Sequence, residues 1–261
     1  MLERPARVGD LTDSNVAKLL GWLTTTRKQS ATTANGSHKC LACLWRWARD
    51  KGYTPTGPTV APLKTPVRTP RAWSRDELTR LVTAAATSAG SIGGMPARDW
   101  WLIVLSLQWD CGVRAGEMLA LRWEWLDWSR GWLTVPAEAR KGQHRDVVHG
   151  LSVDTMQLLE PHRKATGLIL GHDYDRSRYC QRWDELLNRA GLPRDRKNKT
   201  QRLRATFASW LTAAGGDATA ALGHASRVTT VQHYIDPTLS AKKYADAMPF
   251  RIMSLLGDEQ Q

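Results

Sequence analysis

Apolar positions recur at helical spacing in two short stretches near the start of the chain. Thr12 to Trp22 carries Val16, Leu19 and Leu20, with Leu23 beyond, and His38 to Asp50 carries Leu41, Leu44, Trp45 and Ala48. They predict a small helical unit. Between Thr54 and Arg71 the pattern breaks: Pro55, Pro58, Pro62, Pro66 and Pro70 stand too close together for a helix or a central strand. This reads as an extended linker. It divides a helical domain at 1–66 from a second domain at 67–261.

Ser74-Arg75-Asp76-Glu77 precedes Leu78, Leu81 and Val82, which predicts a helix start with Ser74 as N-cap and acids in the first turn. A buried helix follows over about Arg98 to Asp110 and stops near Gly112, with a short one from Arg114 to Arg122. Trp132 to Val135 and Arg145 to Val148 read as the strands of a hairpin with Lys141-Gly142-Gln143 at its tip. Helical spacing resumes at about Thr155 to Arg163, Tyr179 to Ala190, Leu203 to Ala213 and Ala218 to Leu222, and again around Tyr234. The fold class expected is mainly α with a small β-sheet or hairpin, in two domains.

Charge changes the picture. In 261 residues, 37 Lys and Arg face 25 Asp and Glu, for a formal charge of +12, which suits a phosphate-rich partner and puts nucleic acid first. The basic residues are spread along the chain and not gathered on one amphipathic helix, which argues against a membrane surface. The most apolar stretch, Trp100 to Leu107, is too short to span a bilayer, and no apolar signal core opens the chain. Four cysteines make no disulfide framework, so an intracellular, DNA-associated protein is expected. His38, Cys40 and Cys43 suggest half a zinc site, but no second pair at ligand spacing follows, and no metal or cofactor is expected. Most of the 13 tryptophans are expected in the core or half-buried, with one or two against DNA.

Five motifs stand in order: CGVRAGEMLALRW around Arg114, ARKGQHRDVV with Lys141, QRLRATFASWL with Arg204, ALGHAS with His224 and TTVQHYIDP with Tyr234. Singly, each arginine or histidine reads as a solvated or structural residue; the ordered set resembles the tyrosine recombinase, or phage integrase, family. The resemblance spans nearly the whole second domain. It implies a helical core-binding domain before the linker and a catalytic domain after it. It also implies site-specific DNA cleavage and rejoining, with duplex recombination sites as partner and a homotetramer working through a Holliday junction. Whether an accessory DNA-bending protein takes part stays open.

The roles it implies agree with the chemistry. Attack on a phosphodiester builds negative charge on the non-bridging oxygens, and the fixed fork of arginine suits that charge. Arg114, held by Glu117, and Arg204 would form the clamp. Free N–H groups at the start of the Arg204 helix would lie close by. His224 would donate to the same phosphate while near its protonation midpoint. Lys141 would protonate the leaving oxygen, with Arg140 as the easiest misassignment. Tyr234 would be the nucleophile; Tyr53, Tyr174 and Tyr179 lie in other contexts, and Tyr244 is the one competitor.

The chain departs from the family pattern in three places. The His-x-x-Arg box reads Gln201-Arg202-Leu203-Arg204, and glutamine orients groups without exchanging a proton. His233, beside the nucleophile, is a candidate substitute. The stretch from Gly215 to His224 is about one helical turn short. No arm-binding domain is legible upstream, which a minimal recombinase and a truncated chain explain equally well. The segment Ala241 to Leu256 would dock either on a neighbouring protomer or on its own. Two rival readings stand beside recombination: type IB topoisomerase-like relaxation, and a non-catalytic DNA-binding regulator.

Overall fold

The computed structural model describes residues 5–66, 69–140, 145–171, 176–195 and 198–239. The chain divides into two compact units, Met1–Arg68 and Thr69–Gln261.

In the first unit, α1 (Asp13–Thr25) is capped by Thr12, whose Oγ1 accepts from Asn15 N–H, and α2 (Ala31–Asp50) by Ser30, which accepts from Thr33 N–H. Such caps contribute about 1 kcal/mol each. The second helix begins well before the expected His38. Its first turns, Ala31 to Ser37, are small and polar, so hydrophobic spacing does not mark them, yet Ala34 and His38 face inward in line with Ala42, Trp45 and Ala48. Leu44, expected on that face, is exposed, as is Trp47.

Residues 56–66 of the Pro-rich stretch carry no helix or strand, but they do not hang free. The Asp13 carboxylate accepts from the N–H groups of Thr59 and Val60 at 3.0 and 3.2 Å, and the Asn35 amide pairs with both backbone groups of Leu63. His38 Nε2 meets the Val60 carbonyl at 2.9 Å, which engages one ring nitrogen of the supposed half-site; Cys40 and Cys43 are exposed. The first half of the linker is therefore part of the helical unit.

The second unit is built on α3 (Arg75–Ala86) and α4 (Ala97–Cys111), joined by a two-stranded turn of β1 (Ser91–Ile92) and β2 (Met95–Pro96). Ser74 caps α3 in a capping box with Glu77. One side of α4 after another is covered, and Trp100, Trp101, Ile103, Val104 and Leu107 are all buried. Trp100 and Trp101 meet edge to face at 4.8 Å, and Trp101 packs on Tyr179 and Trp183 of α7 (Arg176–Arg189). Gly112 ends α4 in the left-handed conformation, φ +58°. Phe207 packs so tightly against it that a Cβ there would lie 2.2 Å from the ring.

Next come α5 (Ala115–Ala120), β3 (Leu126–Asp127), β4 (Trp132–Val135) and β5 (Val147–Gly150). The three strands form an antiparallel sheet in the order β3-β4-β5, with Leu133 opposite His149 and Val135 opposite Val147. The hairpin tip with Lys141, Gly142 and Gln143 lies outside the described residues. The described residues continue with α6 (Val153–Leu159), α7, α8 (Gln201–Ala213), α9 (Ala218–Ala221) and α10 (Arg227–Tyr234). No described helix is long and apolar enough to cross a membrane.

The segment before α3 ties this unit together. Trp73 N–H donates to Thr206 Oγ1 on α8, and Ala72 N–H to Asp236 Oδ2 just past α10. Arg202 stacks on the Trp73 ring at 3.6 Å and bonds Ala72 carbonyl, Asn198 and Glu77. A buried guanidinium is tolerated because its donors are met.

Candidate active site

Five of the six candidate residues lie on α8 or on elements that converge on it. Arg114 is the residue that caps α5, not the first residue of a helix as expected, so its backbone is extended and its side chain stands at the corner after Gly112. Glu117, one turn on, bonds Arg114 twice: Oε2 accepts the backbone N–H at 2.8 Å and Oε1 accepts from Nη1 at 2.7 Å. Burial alone would raise the Glu117 pKa, but these bonds and the Arg114 charge hold it below the usual carboxylate range.

Arg204 lies in the first turns of α8 with its side chain 2% exposed. Nη1 donates to the Gly112 carbonyl at 2.7 Å, Nη2 to the Leu222 carbonyl at 3.3 Å and to His224 Nε2 at 2.9 Å. Its Nε has no partner among the described residues. Glu117 Oε2 stands 4.0 Å from Nη1, so one carboxylate serves two guanidiniums.

Arg140 joins them. It is buried, and its Nη2 donates to the same Leu222 carbonyl at 3.1 Å. This clustering of three guanidiniums about one carboxylate leaves the site cationic, an arrangement that receives an anion with several oxygens. Lys141, the residue after Arg140, lies outside the described residues, so its placement is not part of this geometry. His149 on β5 is buried in the same field; burial, then Arg140 and Arg204, push its pKa down to about 4.

His224 follows α9 and is buried, with Nδ1 2.8 Å from Thr230 Oγ1. Burial first, then Arg204, Arg114 and Arg140, push its pKa down to about 4, against the expectation of a midpoint near neutrality. The short Gly215 to His224 stretch still delivers it beside Arg204.

Tyr234 ends α10, half-buried, with its ring centroid 4.9 Å from that of His224 and 5.2 Å from the Arg204 guanidinium carbon. Gln201, the first residue of α8, donates from Nε2 to the Tyr234 hydroxyl at 3.0 Å. Ser209, farther along α8, donates to the Tyr234 carbonyl at 2.9 Å and accepts from Asp236 N–H at 2.8 Å. One helix thus holds the tyrosine by its hydroxyl and by its backbone. His233 is exposed, and Tyr244 lies outside the described residues.

One expectation at the start of α8 needs correction. The N–H groups of Arg202 and Leu203 donate to the carbonyls of Lys199 and Thr200 at 2.8 and 3.0 Å, so they are not free for an anion. A tight turn leads into α8 and consumes them. The residues that sequence reading did not single out are Thr230, Ser209 and Asp236. Their signal is weak, since each is a common polar residue acting through a tertiary contact.

A model of the phage integrase family matches residues 72–240. A protein of Escherichia coli (strain K12) named as a defective protein, IntQ, is 26% identical over 262 residues, covering 82% of this chain and 62% of that protein. The chain thus spans about three fifths of the length of that relative. Among solved structures, XerH site-specific recombinase bound to a palindromic difH substrate matches with TM-score 0.72 at 18% identity, over 94% of this chain and 73% of that one. A lambda integrase dimer bound to a COC' core site matches with TM-score 0.67 at 19% identity, over 89% and 83%. These two likenesses are of fold.

Proposed function

Because the chain belongs to the phage integrase family, we propose that it recombines DNA at specific sites by cleaving and rejoining strands through Tyr234. The observation that carries this reading is the Tyr234 hydroxyl, bonded to Gln201 at 3.0 Å, in a ring that packs against Arg204 and His224.

In this reading Arg114 and Arg204 hold the non-bridging oxygens of the scissile phosphate, and Arg140 adds to the field. Tyr234 Oη attacks phosphorus and gives up its proton to solvent, the bond to the 5' oxygen breaks, and a 3'-phosphotyrosyl link forms. Lys141 gives the leaving oxygen its proton. The link keeps the bond energy, so the reverse attack by a 5' hydroxyl rejoins strands without ATP. Residues 1–66 serve as the helical core-binding domain, and 67–261 as the catalytic domain. The lambda integrase tetramer bound to a Holliday junction has the same fold, and the protein would act likewise as a homotetramer on duplex sites.

A second reading, a DNA-binding protein that no longer cleaves, is favoured by Gln201 in place of histidine and by the name of the IntQ relative as defective. A nicked suicide duplex carrying a site selected from random DNA decides between them. Recombination predicts a covalent protein–DNA adduct that is lost in Tyr234→Phe. No adduct, or one that survives in that variant, overturns it. Exchange between two such sites, beyond loss of supercoils, excludes the topoisomerase alternative.

A further inference from the structure

We propose that Thr230 is a positioning residue that holds His224 as its Nδ1–H tautomer, so that capture of a phosphate at this site proceeds with uptake of one proton at His224 Nε2. This rests on the cleavage reading above for the identity of the phosphate, but the tautomer itself does not.

The argument begins with the partner of Nε2. Arg204 Nη2 lies 2.9 Å away, and a guanidinium has donors only. Nε2 must therefore present its lone pair. A neutral imidazole carries one N–H, which falls to Nδ1, 2.8 Å from Thr230 Oγ1. Thr230 is 2% exposed and His224 7%, so solvent does not replace this acceptor.

The groups around His224 keep it neutral. Arg204 on α8, Arg114 at the start of α5 and Arg140 before β5 all disfavour the imidazolium, and Glu117 on α5 alone opposes them. Tyr234 on α10 packs against the ring, and His149 on β5 sits in the same field. In this state His224 has no proton with which to bind a phosphate oxygen.

An arriving phosphodiester changes both partners. Arg204 Nη2 turns to the anion, Nε2 loses its donor, and the new negative charge favours the imidazolium. One proton then enters from solvent. Nε2–H donates to the phosphate while Nδ1–H stays on Thr230, and the proton returns when the phosphate leaves. No covalent bond other than this N–H forms. Thr230 accepts in both states, which is why a hydroxyl is needed there. With valine in its place, the buried Nδ1–H has no acceptor and the ring shifts to Nε2–H, whose proton faces Arg204.

The full chain labelled with ¹⁵N-histidine, read by long-range ¹H–¹⁵N NMR without DNA, tests the tautomer; His224 is assigned by its loss in His224→Gln. The expected result is a protonated Nδ1 in the unmodified chain, loss of that form in Thr230→Val and its return in Thr230→Ser. A protonated Nε2 in the unmodified chain overturns the inference. Adduct formation on the nicked duplex, followed from about pH 6 to about pH 9, tests the coupling. The unmodified chain is expected to slow about tenfold toward the alkaline end, where the added proton is scarce, whereas Thr230→Val, whose neutral ring already carries Nε2–H, is expected to lose most of that fall, with Thr230→Ser close to the unmodified chain. An equal loss at every pH means a merely structural threonine and overturns the proposal. If the unmodified chain forms no adduct, the cleavage reading fails, while the NMR result still decides the tautomer.

Discussion

The Gln201 amide donates to the Tyr234 hydroxyl oxygen at 3.0 Å. It orients the phenol but has no site that can take the phenolic proton. Histidine at this position would keep the contact and add a base near neutral pH. Gln201→His is therefore expected to raise the rate of adduct formation on the nicked duplex by about tenfold or more. An unchanged rate would mean that residue 201 does not act on the tyrosine.

Arg204 makes three bonds that depend on the planar fork. A lysine reaches one of these partners at a time. Arg204→Lys is expected to lower the rate of cleavage by about two to three orders of magnitude, with a smaller loss in DNA affinity. Single-turnover kinetics beside a gel-shift titration separate the two effects; a parallel fall in both would assign Arg204 to binding alone.

Ser209 joins the Tyr234 carbonyl to the Asp236 N–H. Ser209→Ala leaves both groups without this partner, at an expected cost of about 1 to 3 kcal/mol in urea unfolding. Adduct formation should fall further than stability predicts, because the nucleophile loses its backbone anchor while Gln201 still holds its hydroxyl.

Acid should destabilise the fold in two steps. His149 and His224 have folded pKa values near 4, below an unfolded value of about 6.5. Between those limits the unfolded chain binds more protons. Their contribution is complete above about pH 6.5 and declines toward pH 4, by on the order of 1 to 3 kcal/mol each. Glu117, also held low, adds a loss that begins below about pH 4.5 as its carboxylate is protonated. Urea midpoints across this range test the sign, and His149→Gln with His224→Gln should flatten the upper slope.

The sequence made the motif residues visible because their order is distinctive: Arg114, Arg204, His224 and Tyr234 cluster around Arg204 and Glu117. Helix α8 was legible from Leu203 and Phe207, and α4 from its tryptophans. What escaped has physical causes. The start of α2 carries almost no apolar side chains. The bond between Ala72 and Asp236 crosses 164 residues, and no local pattern encodes it. The neutrality of His224 is a property of three arginines brought together by folding. The occupied N–H groups of Arg202 and Leu203 depend on a turn that composition does not reveal.

That bond from Ala72 to Asp236 makes the domain a loop fastened beside its own nucleophile. The chain enters the fold where the tyrosine's helix leaves it. A shortened protein that starts after Trp73 would lack the donor to Asp236 and the ring beneath Arg202. The first place to loosen would be the far end of the domain in sequence, at Tyr234, so the boundary at which this domain can be excised is set by its active site as well as by its hydrophobic core, to which Trp73 belongs.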